Sequence, residues 1–438
     1  MDKTAPKTVA IQTVGCRLNQ YESERMLAQL APHGFRRVLP DEKADLYIIN
    51  TCTVTHRADS SCRNLIRRAV RLNPEGKIVV VGCYVQAEPE LLAAMEGVDL
   101  VIDNDHKDDL GKILPVKLPE LFDRGPLDAC QSIVTDFFEH NRAWIKVSDG
   151  CNQSCSYCIV TRVRGKLVNR PAGQIIDEVK ALVDSGYKEV VLTGVHMGHY
   201  RDSKNEPPVK NLASLCRLLL TGTDLYRLRL SSIEPQTIRD ELVQALADMK
   251  GSICPHLHVP LQSGSARILK LMRRPYTPAQ YLDRIRAVKM AAPEAIIGAD
   301  IIVGFPGETD DDFQMTRDLA QCGMIDYLHV FSYSDRKGTV AAEMPDKINP
   351  EVIKKRNAIL TEVSDGLTKK ANERQIGRVL EVISEHKQNE FGGYWGISGN
   401  YIRVKLPGHT DWGKDIVSVR ITDAFDDFVD GDVISTGN

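Results

Sequence analysis

From Thr8 to Tyr333 the sequence alternates short apolar runs with helix-period segments, a pattern that leaves little choice but parallel α/β sheets. In the first part the apolar runs fall at residues 8–14, 46–50, 78–81 and 100–102, with helical patterns such as 21–33 and 62–72 between them. Residues 1–125 therefore read as an N-terminal open parallel α/β domain, followed by a linker at 126–138. The alternation then resumes, with strands expected at 143–147, 189–192, 227–230, 256–259, 297–303 and 327–333 and helices such as 173–185 and 279–290. Units of this kind predict a complete or partial (β/α) barrel over residues 140–370, with its chemistry on loops at the carboxyl ends of the strands. Beyond 371 the helical period gives way. Short runs at 377–384, 401–406, 416–421 and 432–435, split by glycine-rich turns, predict a small all-β barrel over 371–438.

Composition narrows the functional classes. With 438 residues and 42% hydrophobic content the chain can bury several cores without a disulfide framework. No run approaches the roughly 18 apolar residues of a membrane span. The N-terminal residues lack an apolar signal segment, so a cytoplasmic location is expected. The net charge of −3 does not advertise nucleic acid, so any such signal must be local. Eleven cysteines, an odd number in a large chain, point to metal binding or catalysis more than to structural disulfides.

The cysteines carry the strongest local signal. Cys151, Cys155 and Cys158 form a C-x3-C-x2-C motif just after the first barrel strand. Thiolates suit iron–sulfur clusters, and a cubane [4Fe–4S] cluster takes one ligand per iron, so three cysteines leave one iron open to a substrate. Zinc would want a fourth Cys or His at short range, and the next residues offer none. A second trio, Cys16, Cys52 and Cys83, is dispersed, but each follows a predicted strand of the first sheet. The carboxyl ends of such strands converge on one crevice, where three thiols can meet. One buried cysteine per strand is equally an ordinary way to fill a core. Cys62, Cys130, Cys216, Cys254 and Cys322 show no comparable arrangement and read as packing residues.

The Cys151/Cys155/Cys158 motif resembles the signature of the radical S-adenosylmethionine enzymes. Gly15-Cys16-Arg17-Leu18-Asn19, Asn50-Thr51-Cys52-Thr53-Val54-Thr55 and Val81-Gly82-Cys83 resemble the N-terminal motifs of the methylthiotransferase family, and the last segment resembles its TRAM domain. Within that family Thr55-His56-Arg57-Ala58-Asp59, Leu192-Thr193-Gly194-Val195-His196, Arg229-Leu230-Ser231-Ser232-Ile233-Glu234-Pro235 and His258-Val259-Pro260-Leu261-Gln262-Ser263-Gly264-Ser265 resemble the branch that acts on threonylcarbamoyladenosine in tRNA (the MtaB type). Thr161-Arg162 depart from the aromatic usual after the cluster loop, and 331–338 is a loose version of the family stretch.

The resemblance implies a transferase with two [4Fe–4S] clusters and S-adenosylmethionine. One cluster would sit on Cys151, Cys155 and Cys158. Its open iron would chelate the cofactor, whose reductive cleavage yields a radical that abstracts hydrogen from carbon 2 of the adenine at tRNA position 37. The other, on Cys16, Cys52 and Cys83, would hold the sulfur to be inserted. No catalytic side chain is assigned beyond these ligands. Gly194 would let the backbone approach the methionine moiety, Glu234 and Gln262 would bond the cofactor's ribose or amino group, and Gly304 and Phe305 would contact adenine. The expected partners are tRNA, an electron donor such as flavodoxin or ferredoxin, and a sulfur source, with no membrane and a monomeric chain. The alternatives are methylthiolation of isopentenyladenosine in tRNA or of a ribosomal-protein aspartate. A ferredoxin-like electron carrier would use four cysteines per cluster, and a non-catalytic RNA adaptor would need neither trio.

Local charge supplies the RNA signal. Arg63, Arg67 and Arg71 share a helix face, and Arg57 and Arg68 bring the arginines between 57 and 71 to five against one acid, Asp59. Arg162, Arg164, Lys166 and Arg170 form a second basic run. The β tail has seven basic residues against eleven acids, with Tyr394, Trp395 and Tyr401 as candidate stacking aromatics.

Overall fold

The computed structural model describes residues 6–127, 133–408 and 412–436. The chain divides into two compact units, Met1–Asp136 with Gly150–Gln153 and Cys158–Leu167 in one, and Phe137–Asp149, Ser154–Tyr157 and Val168–Asn438 in the other. Part of the expected linker, and Cys130 with it, lies outside the described residues.

The first unit is built on strands β1 (Thr8–Thr13), β2 (Arg36–Arg37), β3 (Leu46–Thr51), β4 (Lys77–Gly82) and β5 (Leu100–Ile102). They form one parallel sheet in the order β2-β1-β3-β4-β5. The two-residue edge strand β2 has no periodicity and was not expected. Central β3 is buried at every position, as a parallel strand covered on both faces must be. One face packs Val9, Ile11, Ile48, Val79 and Val81 under Met26, Leu30 and Leu110. The other packs Ala10, Tyr47, Ile49 and Val80 under Cys62, Ile66 and Ala69. The helix His56–Leu72 starts earlier than its apolar period suggests, because Thr55 caps it by accepting from the Ala58 amide at 3.1 Å.

The second unit contains β6 (Ala143–Asp149), β7 (Val168–Asn169), β8 (Glu189–Gly194), β9 (Arg227–Leu230), β10 (His256–His258), β11 (Ile296–Val303) and β12 (Tyr327–Ser332). Strands β6, β8 and β9 run parallel, as do β10, β11 and β12, and the bridges Leu228–Ile253 and Ser232–His258 join the two sets. No ladder among the described residues returns from β12 to β6, so the barrel is partial. The tail is a closed barrel of β13 (Val379–Gln388), β14 (Tyr394–Ser398), β15 (Arg403–Leu406), β16 (Ile416–Ala424) and β17 (Val429–Thr436). The sequence reading predicted four strands here. It missed β14, whose two glycine neighbours and internal Gly396 read as turn. No helix among the described residues is long and apolar enough to cross a membrane.

The closed barrel seals the amino-terminal end of the partial one. Glu189, at the start of β8, is fully buried and takes Arg227 Nε at 2.6 Å and Arg229 Nε at 2.7 Å. The same arginines reach the tail, donating to the Glu381 carbonyl at 3.0 Å and the Ser398 carbonyl at 2.9 Å. Tyr401, held at φ +71°, stacks on His256 with ring centroids 4.2 Å apart. Its expected role as an RNA-stacking aromatic is therefore corrected: this ring belongs to the seal.

Burial works to raise the Glu189 carboxyl, but Arg229, Arg227 and Arg142 hold it well below the usual carboxylate range. The stabilisation is therefore complete above the unfolded value, about 4.3, and is lost as pH falls below it. Glu189→Gln strands two buried guanidinium groups and should cost about 3–5 kcal/mol. Thermal unfolding at neutral pH should show this loss, and the variant should lose less stability than the wild type between about pH 5 and 3.

Candidate functional site

In the first unit, Cys16, Cys52 and Cys83 all lie just past the carboxyl ends of parallel strands β1, β3 and β4. Two glycines shape that edge. Gly15 has φ +109° and Gly82 φ +99°, so each strand turns abruptly before a helix that begins at or just after the cysteine. A Cβ on Gly15 would lie 2.7 Å from that of Cys52, and one on Gly82 would lie 2.7 Å from Asn50 Oδ1. The thiols are close enough to feel one another. Burial pushes the Cys52 thiol up to about 12, and charges on Cys83 and Cys16 push the same way. Cys52 and Cys83 are buried, whereas Cys16 is exposed and opens the crevice to solvent.

A hydrogen-bonded frame fixes this edge. Asn19 donates to the Val14 carbonyl at 2.8 Å and the Thr51 carbonyl at 3.1 Å, and Asn50 donates to the Asn19 carbonyl at 2.8 Å. Asn104 donates to the Val163 carbonyl at 2.6 Å and to Cys83 Sγ at 3.5 Å. Below them the buried Glu22 carboxylate binds Lys107 at 2.7 Å and Arg164 at 2.9 Å. Burial raises the Cys16 thiol, and Arg164, which also donates to Asn19 at 2.6 Å, is the charge that most opposes that rise. Sequence reading placed Arg164 in a second basic run and gave no role to Asn19 or Asn104; contacts between residues this far apart in the chain carry no period.

Cys151, Cys155 and Cys158 are each half-buried. Within the first unit the Cys151 amide donates to the Gly165 carbonyl at 3.1 Å, the Gln153 amide to Cys151 Sγ at 3.3 Å and the Leu167 amide to Asn152 at 3.0 Å. Within the second, Arg274 donates to Cys155 Sγ at 3.3 Å, pairs with Glu234 and donates to Tyr276 Oη at 3.1 Å. Burial raises the Glu234 carboxyl in spite of Arg274. Arg274 was missed by the sequence reading. Gln262 lies where expected, at the carboxyl end of β10, buried at φ +67° with no partner for its amide oxygen.

Other expected site residues have packing roles. Gly194 leaves room for Ser148 on the neighbouring strand, and Gly304, at φ +77°, leaves room for Ile353 and donates its amide to Glu308 at 2.8 Å. The Phe305 ring is fully buried against Ile268, Met272 and Ala341. That side chain belongs to the core, so an adenine contact at this position falls to the backbone. Among the other cysteines, Cys62, Cys216 and Cys254 are buried as expected, but Cys322 is exposed.

The basic residues sort by exposure. Arg57, Arg67, Arg68 and Arg71 are exposed, while Arg63 is half-buried and donates to Tyr84 Oη at 2.6 Å. In the second run Arg170 is tied to Glu178 at 2.8 Å, while Arg162 and Lys166 are exposed. On the closed barrel Tyr394 and Trp395 are both buried, and Arg403 covers the Trp395 ring at 3.7 Å, which corrects the expectation that these rings stack on RNA. Exposed Phe391 sits beside them with Lys405 at 4.9 Å from its ring, a basic and aromatic patch on an acidic barrel.

Comparison with known proteins fits this arrangement. Residues 8–103 match a family described as uncharacterized protein family UPF0004, and residues 145–320 match the radical SAM superfamily. The chain is 38% identical over 434 residues to the threonylcarbamoyladenosine tRNA methylthiotransferase MtaB of Bacillus subtilis, covering 95% of this chain and 94% of that one. It is 36% identical to the Aquifex aeolicus MtaB, over 93% and 98% of the two chains. It is 34% identical to the tRNA-2-methylthio-N(6)-dimethylallyladenosine synthase of Thermodesulfovibrio yellowstonii, over 98% and 99%. A solved radical S-adenosylmethionine methyltransferase, TsrM of Kitasatospora setae, shares the fold with a TM-score of 0.54 over 74% of this chain and 73% of that one, at 15% identity. The fold and the cysteine loop are those of a radical S-adenosylmethionine enzyme, a class that uses S-adenosylmethionine and a [4Fe–4S] cluster. Within that class the chain belongs to the methylthiotransferase family.

The glycine turns give a direct test. Gly34 has φ +82° with open space around it, so Gly34→Ala should cost about 1 kcal/mol of backbone strain. Gly15→Ala meets both strain and the Cys52 side chain, and should lower the unfolding midpoint clearly more. Equal losses in thermal melts would show that Gly15 is not packed against Cys52.

Proposed function

We propose that the chain is a tRNA methylthiotransferase that adds a methylthio group to carbon 2 of N6-threonylcarbamoyladenosine at tRNA position 37. The observation that carries this reading is near full-length similarity to MtaB proteins, in a chain whose N-terminal sheet gathers Cys16, Cys52 and Cys83 at one edge. Methylthiolation of isopentenyladenosine is the second reading, supported by the 34% identical dimethylallyladenosine synthase.

Two [4Fe–4S] clusters would be held, one by Cys151, Cys155 and Cys158 and one by Cys16, Cys52 and Cys83. The donor chemistry fits: soft thiolates whose sulfurs accept from Arg274 and Asn104, as cluster ligands do. When bound, the cluster and S-adenosylmethionine supply the electron and the radical chemistry that activate a carbon–hydrogen bond. The protein's own part is to bind, orient and exclude water. Glu234 and the unpartnered Gln262 amide are the polar groups offered to the cofactor, while Gly194, Gly304 and Phe305 shape the strand ends around them. Arg274 fixes Glu234 and Cys155 together in a dry setting. Arg57, Arg67, Arg68 and Arg71 would hold tRNA phosphates, and the TRAM-like barrel would add stacking at the exposed Phe391. A reductase such as flavodoxin or ferredoxin and a sulfur source complete the reaction, with the chain acting as a monomer in the cytoplasm.

Anaerobically reconstituted wild type should carry about eight irons per chain, and the Cys16/Cys52/Cys83→Ala variant about four. Mass spectrometry of tRNA nucleosides from cells lacking the protein should show loss of the 2-methylthio derivative of threonylcarbamoyladenosine with its precursor accumulating. Loss of the isopentenyladenosine derivative alone would favour the second reading, and no change in either nucleoside would overturn both. Arg67→Glu with Arg71→Glu should weaken tRNA binding at least tenfold near physiological salt and flatten its salt dependence.

A further inference from the structure

We propose that His258, Asp300 and His329 form a divalent-metal site on the wall of the partial barrel, with ligands distinct from the cysteines. They lie on three adjacent parallel strands, β10, β11 and β12. His258 pairs in register with Gly298, two residues before Asp300, and Asp300 pairs with His329, so all three side chains leave the same face of the sheet. One ligand atom from each lies within 4.8 Å of the others, the only such group of His, Cys, Asp and Glu among the described residues. His258 Nε2 is 2.8 Å from Asp300 Oδ1, and His329 Nδ1 faces the same oxygen at 3.5 Å. That second distance exceeds the usual hydrogen-bond range but suits two donors that share an ion.

The surroundings are built for this orientation. Tyr327 Oη lies 3.3 Å from His258 Nδ1 and 2.9 Å from His256 Nε2. It holds the far nitrogen of His258 and leaves Nε2 turned to Asp300, the outer support that metal-binding imidazoles commonly have. A Cβ on Gly298 would occupy the Tyr327 ring, so the glycine makes room for that support.

Two imidazole nitrogens and one carboxylate oxygen on rigid strands are the donor set of a borderline transition metal such as Zn2+. Three protein donors leave a position open. His329 is half exposed, so that position faces solvent and can take water or an oxygen donor such as a carboxylate. The site stands whether or not the proposed substrate is right, because its test does not read the tRNA product.

The test uses the full chain with its clusters loaded, incubated with ZnCl2 and desalted, with zinc and iron then counted by mass spectrometry. Wild type should retain about one zinc per chain. His329→Ala and Asp300→Asn should retain none, with iron content unchanged. X-ray absorption at the zinc edge in the wild type should show nitrogen and oxygen neighbours near about 2.0–2.2 Å only. Absence of retained zinc, equal zinc in His329→Ala, or sulfur neighbours near about 2.3 Å would each overturn the site. The last readout needs no variant and so holds even if a substitution disturbs folding.

Discussion

Parallel strands that share one direction present all their carboxyl ends on one edge, and the chemistry of this protein depends on that constraint. At β1, β3 and β4 the edge becomes a thiol crevice because each strand stops within three residues of a cysteine. Two of those turns need backbone at positive φ, which Gly15 and Gly82 provide at low cost. Their missing Cβ atoms are also what let Cys52 and Asn50 pack into the turns. Asn19, Asn50 and Thr51 then tie the three turns together through buried backbone acceptors, so the thiols are positioned by a frame and not by their own packing.

The second unit invests its buried charge at the opposite end of its strands. Glu189 with Arg227 and Arg229 would be costly in isolation, but each guanidinium is also bonded to carbonyls of the closed barrel. The ions therefore join two folds whose apolar cores also meet, where Ile296 packs with Val382, Val404 and Val417 of the closed barrel. With the amino-terminal end sealed by these contacts and by Tyr401, the carboxyl-terminal end is left for Gln262, Glu234 and the loop that bears Cys155. A barrel tightly closed at one end can carry reactive groups on loops at the other without losing its register.

Much of the site was legible because its signals are short-range or periodic. The Cys151/Cys155/Cys158 spacing is a local motif, and the strand positions that carry Cys16, Cys52 and Cys83 follow from apolar runs. The arginine face of His56–Leu72 follows from the helical period, and Ile66 and Ala69 are buried opposite it. Contacts between distant residues were not legible. Arg164 read only as part of a basic run and is a buried partner of Glu22, Arg274 gave no signal and bonds Cys155, and Tyr401, readable as RNA contact or core, closes a barrel. A guanidinium in a loop has the same local sequence whether it faces solvent or an acid more than a hundred residues away.

By itself the sequence determined the class of chemistry, since thiol spacing and strand period are properties of the chain read in order. It also marked where the closed β barrel takes over from the α/β part, because the change from helical alternation to short strands is compositional. The tertiary structure alone decided which polar residues stand behind the thiols, which arginines are spent inside, and that His258, Asp300 and His329 share one wall. Those outcomes depend on strand register, which places residues dozens of positions apart within a few ångströms and leaves no mark in local periodicity.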